Sequence, residues 1–246
     1  DKPDMRFELE IKEISKLFAG SPVSFIDQAL KTGGKAGCLV VKNHRFSRTD
    51  LDRWSDYVLK ELGAKGLLWI RWKEDGSLDS PLAKHLPADF FEQAKTILPD
   101  LTKKDTLFVV IGTYEEAWTT LGQLRLSLGK ALNLINTADH TLFWVTDFPM
   151  FEYDTQTRRW QAKHHQFTAP QVGWEGKELK DIKARAYDLV GNGEELGGGS
   201  IRIHSSDVQN KIFELLGMSK EKAEQKFKFL FEAQDFGYPP EGGIAF

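Results

Sequence analysis

Ala186-Tyr187-Asp188-Leu189-Val190-Gly191-Asn192-Gly193, continuing as Glu194-Glu195-Leu196-Gly197-Gly198-Gly199-Ser200-Ile201-Arg202-Ile203-His204, is the stretch on which the fold turns. Ala184 to Val190 and Ser200 to His204 read as two strands. Gly191-Asn192-Gly193 between them is a hairpin signal, because Asn and Gly accept the positive φ of a tight turn. Leu142 to Thr146 and Arg158 to His164 read as further strands. Ser206-Asp207-Val208-Gln209 reads as a capping box, opening a helix that buries Val208, Ile212, Leu215 and Leu216 and closes at Gly217. A last helix runs from Ser219 to Phe236 and ends at Gly237. Strands joined by hairpins predict an antiparallel sheet with helices packed on one face. The fold class is α+β.

Upstream the texture differs. A short strand around Phe7 to Glu10 leads into a short helix ending at Phe18, and Gly20-Ser21-Pro22 breaks the pattern. Cys38 to Val41, Leu67 to Trp72 and Thr106 to Ile111 read as strands. Thr49 reads as the cap of a helix with the stripe Leu51, Trp54, Val58 and Leu62, which Gly63 stops. A weaker helix lies between Pro87 and Leu98. Thr113-Tyr114-Glu115-Glu116 is a capping box, and Ala117, Leu121, Leu124, Leu128, Leu132 and Ile135 follow at helical spacing. Residues 20–129 thus read as a compact α+β unit of nearly balanced charge.

The 246 residues suggest one large domain or two small ones. Charged residues make up 28% and the net charge is −3, which excludes disorder by charge repulsion. The single Cys38 excludes a disulfide framework and a cysteine-based zinc site, and fits a reducing cytosol. No run of 18 apolar residues or signal peptide is visible. A sequence pI of about 6.1 argues against a general nucleic-acid coat. The apolar ending Gly242-Gly243-Ile244-Ala245-Phe246 reads as the first half of a buried strand, so a truncated chain is expected.

Four features near the hairpin carry candidate chemistry. Asp188 faces Gly197 or its neighbour across the turn, with Glu195 diagonally close. Two carboxylates there could hold Mg²⁺ on a polyphosphate; the bland reading is two solvated charges. Gly197-Gly198-Gly199 suggests a bulge or a ligand against bare backbone, or a loose turn. Arg202, between two isoleucines, should point away from the apolar core and could fork onto a carboxylate, or be an exposed edge arginine. His164 and His165 point oppositely on a strand and cannot share one metal easily, but one could contact an anionic substrate. Thr32-Gly33-Gly34-Lys35 lacks the spacing of a phosphate loop.

Taken in order, these residues resemble the bacterial-type aspartyl-tRNA synthetases. The resemblance is carried by Asp1-Lys2-Pro3-Asp4 with Arg6-Phe7, by Asp147-Phe148-Pro149-Met150-Phe151-Glu152, and by His164-His165 with Phe167-Thr168-Ala169-Pro170. It continues through Ala186 to Val190, Asn192-Gly193, Glu195 to His204, and Gly237 with Pro239-Pro240 and Gly242 to Phe246. Gln166 stands where the family usually has proline, and Glu194 where it commonly has an aromatic residue.

The resemblance implies a class II aminoacyl-tRNA synthetase antiparallel sheet, present in part. Residues 1–19 and 130–246 would belong to the catalytic domain, and 20–129 would be an inserted α+β GAD domain. It implies that aspartate and ATP form aspartyl-adenylate, whose aspartyl group passes to the 3′ end of tRNA. By matching positions, Glu195 would contact ATP through Mg²⁺ with Asp188 assisting. Arg202 would pair with the aspartate side chain, and His164 and His165 would lie on a loop closing over it. No covalent catalytic residue is implied. The implied partners are tRNA(Asp), with tRNA(Asn) open as a second, and the implied parent is a cytoplasmic homodimer, not membrane-bound. The family's first two motifs are expected before Asp1, and the rest of the third after Phe246, so this chain is expected to be an inactive fragment. The alternative is a stand-alone tRNA- or protein-binding module related to the GAD domain of amidotransferase B subunits.

Overall fold

The computed structural model describes residues 2–154 and 156–246; Asp1, first residue of the amino-terminal motif, lies outside them. The chain divides into two compact units, Arg6–Ala138 and the residues up to Met5 together with Asp139–Phe246.

In the unit Arg6–Ala138, five strands form one sheet: β1 (Lys12–Glu13), β2 (Lys35–Val41), β3 (Leu68–Trp72), β4 (Leu78–Asp79) and β5 (Thr106–Gly112). Their order is β1-β2-β5-β3-β4, and every neighbouring pair is antiparallel. The helices are α1 (Ser24–Lys31), α2 (Arg48–Lys60), α3 (Phe90–Ile97) and α4 (Tyr114–Ala131). Alternation along the strands sorts two apolar faces. Leu39, Val41, Trp69, Phe108 and Val110 pack with the α2 and α4 stripes. Ala36, Cys38, Ile70, Trp72, Leu107 and Val109 pack with Ile26 of α1 and Phe90 and Ala94 of α3. Both faces are therefore covered.

The capping box at Thr113 forms as expected: its hydroxyl accepts from Glu116 N–H, and the Glu116 carboxylate accepts from Thr113 N–H. The helix α2 starts earlier than read. Ser47, not Thr49, caps it, paired reciprocally with Asp50. The expected strand at Phe7–Glu10 does not form. Leu9 sits at φ 89°, and the buried Arg125 takes the carbonyls a ladder would use, donating to Leu9 O at 3.0 Å and Phe7 O at 2.8 Å. Strand pairing starts only at Lys12, opposite Cys38.

The other unit is built on β6 (Leu142–Val145), β9 (Ala186–Gly191), β10 (Glu194–Ile201) and β11 (Gly242–Ala245), with a separate hairpin of β7 (Phe151–Asp154) and β8 (Arg159–Ala162). The four-stranded sheet runs β11-β10-β9-β6, antiparallel throughout. Helices α5 (Ser206–Leu215) and α6 (Lys220–Asp235) follow β10, and α6 kinks at Phe227. One apolar cluster gathers Phe148, Met150, Phe151, Ala184, Ala186 and Ile203 around Ile212 of α5. A second joins Phe213 to Ala223 and Phe231 of α6. Ser206 does not cap α5. Ser205 occupies that position with no side-chain bond, because Gln209 turns inward and is fully buried. Among the described residues, no helix is long and apolar enough to cross a membrane.

Candidate active site

The turn Asn192-Gly193 closes the hairpin of β9 and β10 with φ of 53° and 84°, the two positive values a type I′ turn demands. The strand β10 begins at Glu194, six residues before the expected start, so Gly197-Gly198-Gly199 lies inside the strand. Asp188 pairs with Gly198. Glu195 pairs with Val190, and the register shifts between Glu195 and Gly197. Leu196 is thus the extra residue of a β-bulge. Val190 and Asp188 are two apart on β9 and share a face. Their partners Glu195 and Gly198 share it too, although they are three positions apart. Glu194 faces elsewhere and lies 3.8 Å from the Lys2 ammonium.

The three glycines divide by what each would meet. A Cβ on Gly199 would lie 1.7 Å from the Gly243 carbonyl oxygen, and one on Gly197 2.7 Å from that of Ala245. Both are taken up by the close approach of β11. Gly198 alone lies under the carboxylates. A Cβ there would lie 2.6 Å from Asp188 Oδ1 and 3.1 Å from Glu195 Oε1. The two acids converge over one bare Cα. Burial first, and then the charge of Glu195, push the Asp188 carboxyl above its ordinary range. Neither acid has an ion-pair partner among the described residues. A divalent cation relieves that repulsion, and magnesium prefers one or two carboxylates plus phosphate oxygens. Among the described residues there is no group of three or more His, Cys, Asp and Glu able to hold a metal.

Arg202 follows β10, two residues beyond Ser200 on the side of Gly198. Its backbone N–H donates to Glu241 O at 2.9 Å. Its Nη2 lies 3.6 Å from where a Gly243 Cβ would stand, so bare backbone gives the guanidinium its room. The side chain is half-buried and, among the described residues, makes no hydrogen bond or ion pair. A half-buried, unpaired guanidinium is costly and suits a planar carboxylate.

His164 and His165 come just after β8. Thr168 lies opposite Arg202 as an isolated bridge, and its hydroxyl is 3.1 Å from that of Ser200. Burial lowers the His164 pKa, and the nearby Asp188 charge opposes that shift. Among the described residues, the buried His164 Nε2 has no hydrogen-bond partner, and its ring meets Phe148 edge-on at 5.2 Å. Burial and then the Arg202 charge lower the His165 pKa. His164 thus senses the acid end of the site and His165 the Arg202 end. Both shifts favour the neutral ring.

Two residues near the site escape sequence reading. Gln209 looks like half of a capping box, and Gln234 like an ordinary helix residue, yet both are buried. Gln209 donates to Gln166 O and Gln234 to Ile203 O, each at 3.1 Å. Only the apolar spacing around them, Ile212 beside one and Phe231 beside the other, hints that they face inward.

Comparison with known proteins adds a family. The model of tRNA synthetases class II (D, K and N) matches residues 1–246. An aspartate–tRNA(Asp/Asn) ligase of Desulfatibacillum aliphaticivorans is 43% identical over 253 residues, covering 100% of this chain and 42% of its own length. An aspartate–tRNA ligase of Clostridium botulinum (strain Hall) is 41% identical over 252 residues, with the same coverage of 100% and 42%. The chain thus spans well under half the length of these curated relatives. An aspartyl-tRNA synthetase structure from Entamoeba histolytica matches 85% of this chain and 38% of its own at 14% identity and TM-score 0.32, too distant to carry weight.

Proposed function

The chain belongs to the class II tRNA synthetases (D, K and N), and from that premise we propose that it forms part of an aspartate–tRNA ligase. That enzyme activates aspartate with ATP and transfers it to the 3′ end of tRNA(Asp), with tRNA(Asn) a second acceptor to test. The observation that carries the reading is the polar row on one face of β9 and β10. Asp188 and Glu195 stand at one end over Gly198, and Arg202, unpaired among the described residues, stands at the other.

In this reading Arg202 binds the aspartate side-chain carboxylate through its fork. Asp188 and Glu195 hold Mg²⁺, which would neutralise charge on the ATP phosphates. His164 and His165 line the loop over the amino acid and exclude water while neutral. Activation needs no covalent enzyme intermediate, only charges fixed in place before reaction. Residues 20–129 would be the inserted GAD domain, and the flanking segments part of a catalytic domain. We place the parent protein in the cytoplasm as a homodimer.

ATP–pyrophosphate exchange tests the reading. The full-length enzyme should exchange in the presence of aspartate and Mg²⁺ and not of asparagine or lysine. Arg202→Ala should abolish aspartate-dependent exchange. A polypeptide restricted to these 246 residues should show none. Exchange driven by another amino acid, or aspartate-dependent exchange that survives loss of Arg202, would refute the assignment.

A further inference from the structure

We propose that Gln209 and Gln234 are positioning residues that hold the aspartate end of the site from behind. The proposal rests on the reading of Arg202, His164 and His165 given above. The segment after the histidines and the segment around Arg202 form a short antiparallel ladder. Ala169 N–H donates to Ile201 O and Ile203 N–H to Phe167 O, both at 2.8 Å, with Thr168 opposite Arg202.

A regular ladder would next have Phe167 N–H donate back to Ile203 O. It does not. Phe167 N–H turns to the His165 ring Nδ1 at 3.4 Å, and Ile203 O accepts from the side-chain amide of Gln234 on α6. Gln166 O, immediately after the histidines, accepts from Gln209 on α5. Two helix-borne amides thus act where the ladder breaks: Gln234 takes the Ile203 carbonyl it releases, and Gln209 takes the neighbouring Gln166 carbonyl. One holds the residue after His165 and the other the residue after Arg202.

The folded state bears a cost for this arrangement. Gln209 is 0% and Gln234 6% exposed, and the buried Oε1 of each has no hydrogen-bond partner among the described residues. An unmet buried acceptor destabilises, so each glutamine offsets the carbonyl it satisfies with an orphan oxygen of its own. Packing alone therefore does not account for the glutamines, whereas fixing the spacing between the histidine loop and the Arg202 guanidinium does.

The test uses the full-length enzyme with Gln209→Met and Gln234→Met, which keep length while removing both the donor and the unmet oxygen. Each change trades the unmet Oε1 for an unmet backbone carbonyl, so the expected result is a little-changed melting temperature and an unchanged KM for ATP. The KM for aspartate in pyrophosphate exchange should rise about tenfold, the order of one lost hydrogen bond. Gln234→Glu is a second probe. Its carboxyl can donate only when protonated, so its aspartate defect relative to wild type should shrink as pH falls and grow as pH rises. An unchanged aspartate KM overturns the proposal. So does a parallel rise in both KM values with a lower melting temperature, which marks a packing role only. If the wild-type enzyme shows no aspartate-dependent exchange, the functional reading fails and the proposal with it.

Discussion

Replacing Gly198 with alanine probes the carboxylate pair with one methyl group. The new Cβ would stand 2.6 Å from Asp188 Oδ1 and 3.1 Å from Glu195 Oε1, while ordinary contact begins at 3.4 Å. Asp188 must therefore retreat by about 0.8 Å and Glu195 by about 0.3 Å, in directions that spread the pair. The Gly198 backbone lies outside the left-handed region, so alanine meets no φ strain there. Alanine inside a strand gains roughly 0.5–1 kcal/mol over glycine, which offsets part of the crowding. Folding should change little and chemistry much. A displacement approaching 1 Å in a preorganised site costs on the order of 10²-fold in rate, or about 2.7 kcal/mol of barrier. In the full-length enzyme, Gly198→Ala should lower kcat/KM for ATP about 30- to 100-fold in pyrophosphate exchange at saturating aspartate. The Mg²⁺ requirement should shift to higher concentration. Wild-type kcat/KM with an unchanged Mg²⁺ dependence would refute the claim that both acids serve one ion over Gly198. Gly199→Ala is the contrast: its Cβ meets backbone at 1.7 Å and should loosen β11, seen as faster amide exchange at Gly242–Ala245.

Three other perturbations have defined outcomes. Asp188 is held above its ordinary range by burial and by Glu195, so its ionised form is penalised in the fold. That penalty is absent below the ordinary carboxylate range, grows as pH rises from the ordinary value to the raised one, and is complete above it. Asp188→Asn should therefore raise the metal-free melting temperature at pH 7–8 and lose the advantage in acid, and in NMR titration it should lower the His164 pKa further, because the Asp188 charge opposes the shift. Cys38 is fully buried, and burial pushes its thiol up to about 12. A thiol reagent at pH 8 should label it only as fast as the protein opens, and labelling of the native state at the free-thiol rate would contradict the burial. Arg125→Met removes donors from Phe7 and Leu9 carbonyls and a guanidinium 4.0 Å from the Phe7 ring. It should cost about 3 kcal/mol in urea unfolding, and a loss under 1 kcal/mol would contradict that role.

Much of this fold is legible because local and global preferences agree. The stripe of α4 and its capping box specify one helix face and one start, and Asn192-Gly193 specifies one turn. Asp188 and Arg202 could be placed by counting along strands from that turn. Other parts were hidden for physical reasons. The strand β7 sits within a motif read for its chemistry, and its four residues carry little periodicity. Thr49 lost its cap to Ser47, two residues earlier, since neighbouring hydroxyls compete for the same orphan N–H groups, and Ser206 gave way to Ser205, which holds the position without a side-chain bond. Phe7–Glu10 alternates like a strand, but its carbonyls are claimed by an arginine over a hundred positions away. Gln209 and Gln234 gain their meaning from carbonyls at and beside a break in a ladder, which no local pattern announces.

The bulge at Leu196 has a genetic corollary. In a regular strand, adding or removing one residue exchanges the two faces of everything beyond it. At Leu196 the chain already carries the odd residue. Deleting it leaves Glu195 opposite Val190 and Gly198 opposite Asp188, the register now seen. Deleting Val190 or Ile201 instead would turn one side-chain set over. A scan of single-codon deletions along the hairpin should thus find one lenient position, marking where the strand stores a spare residue.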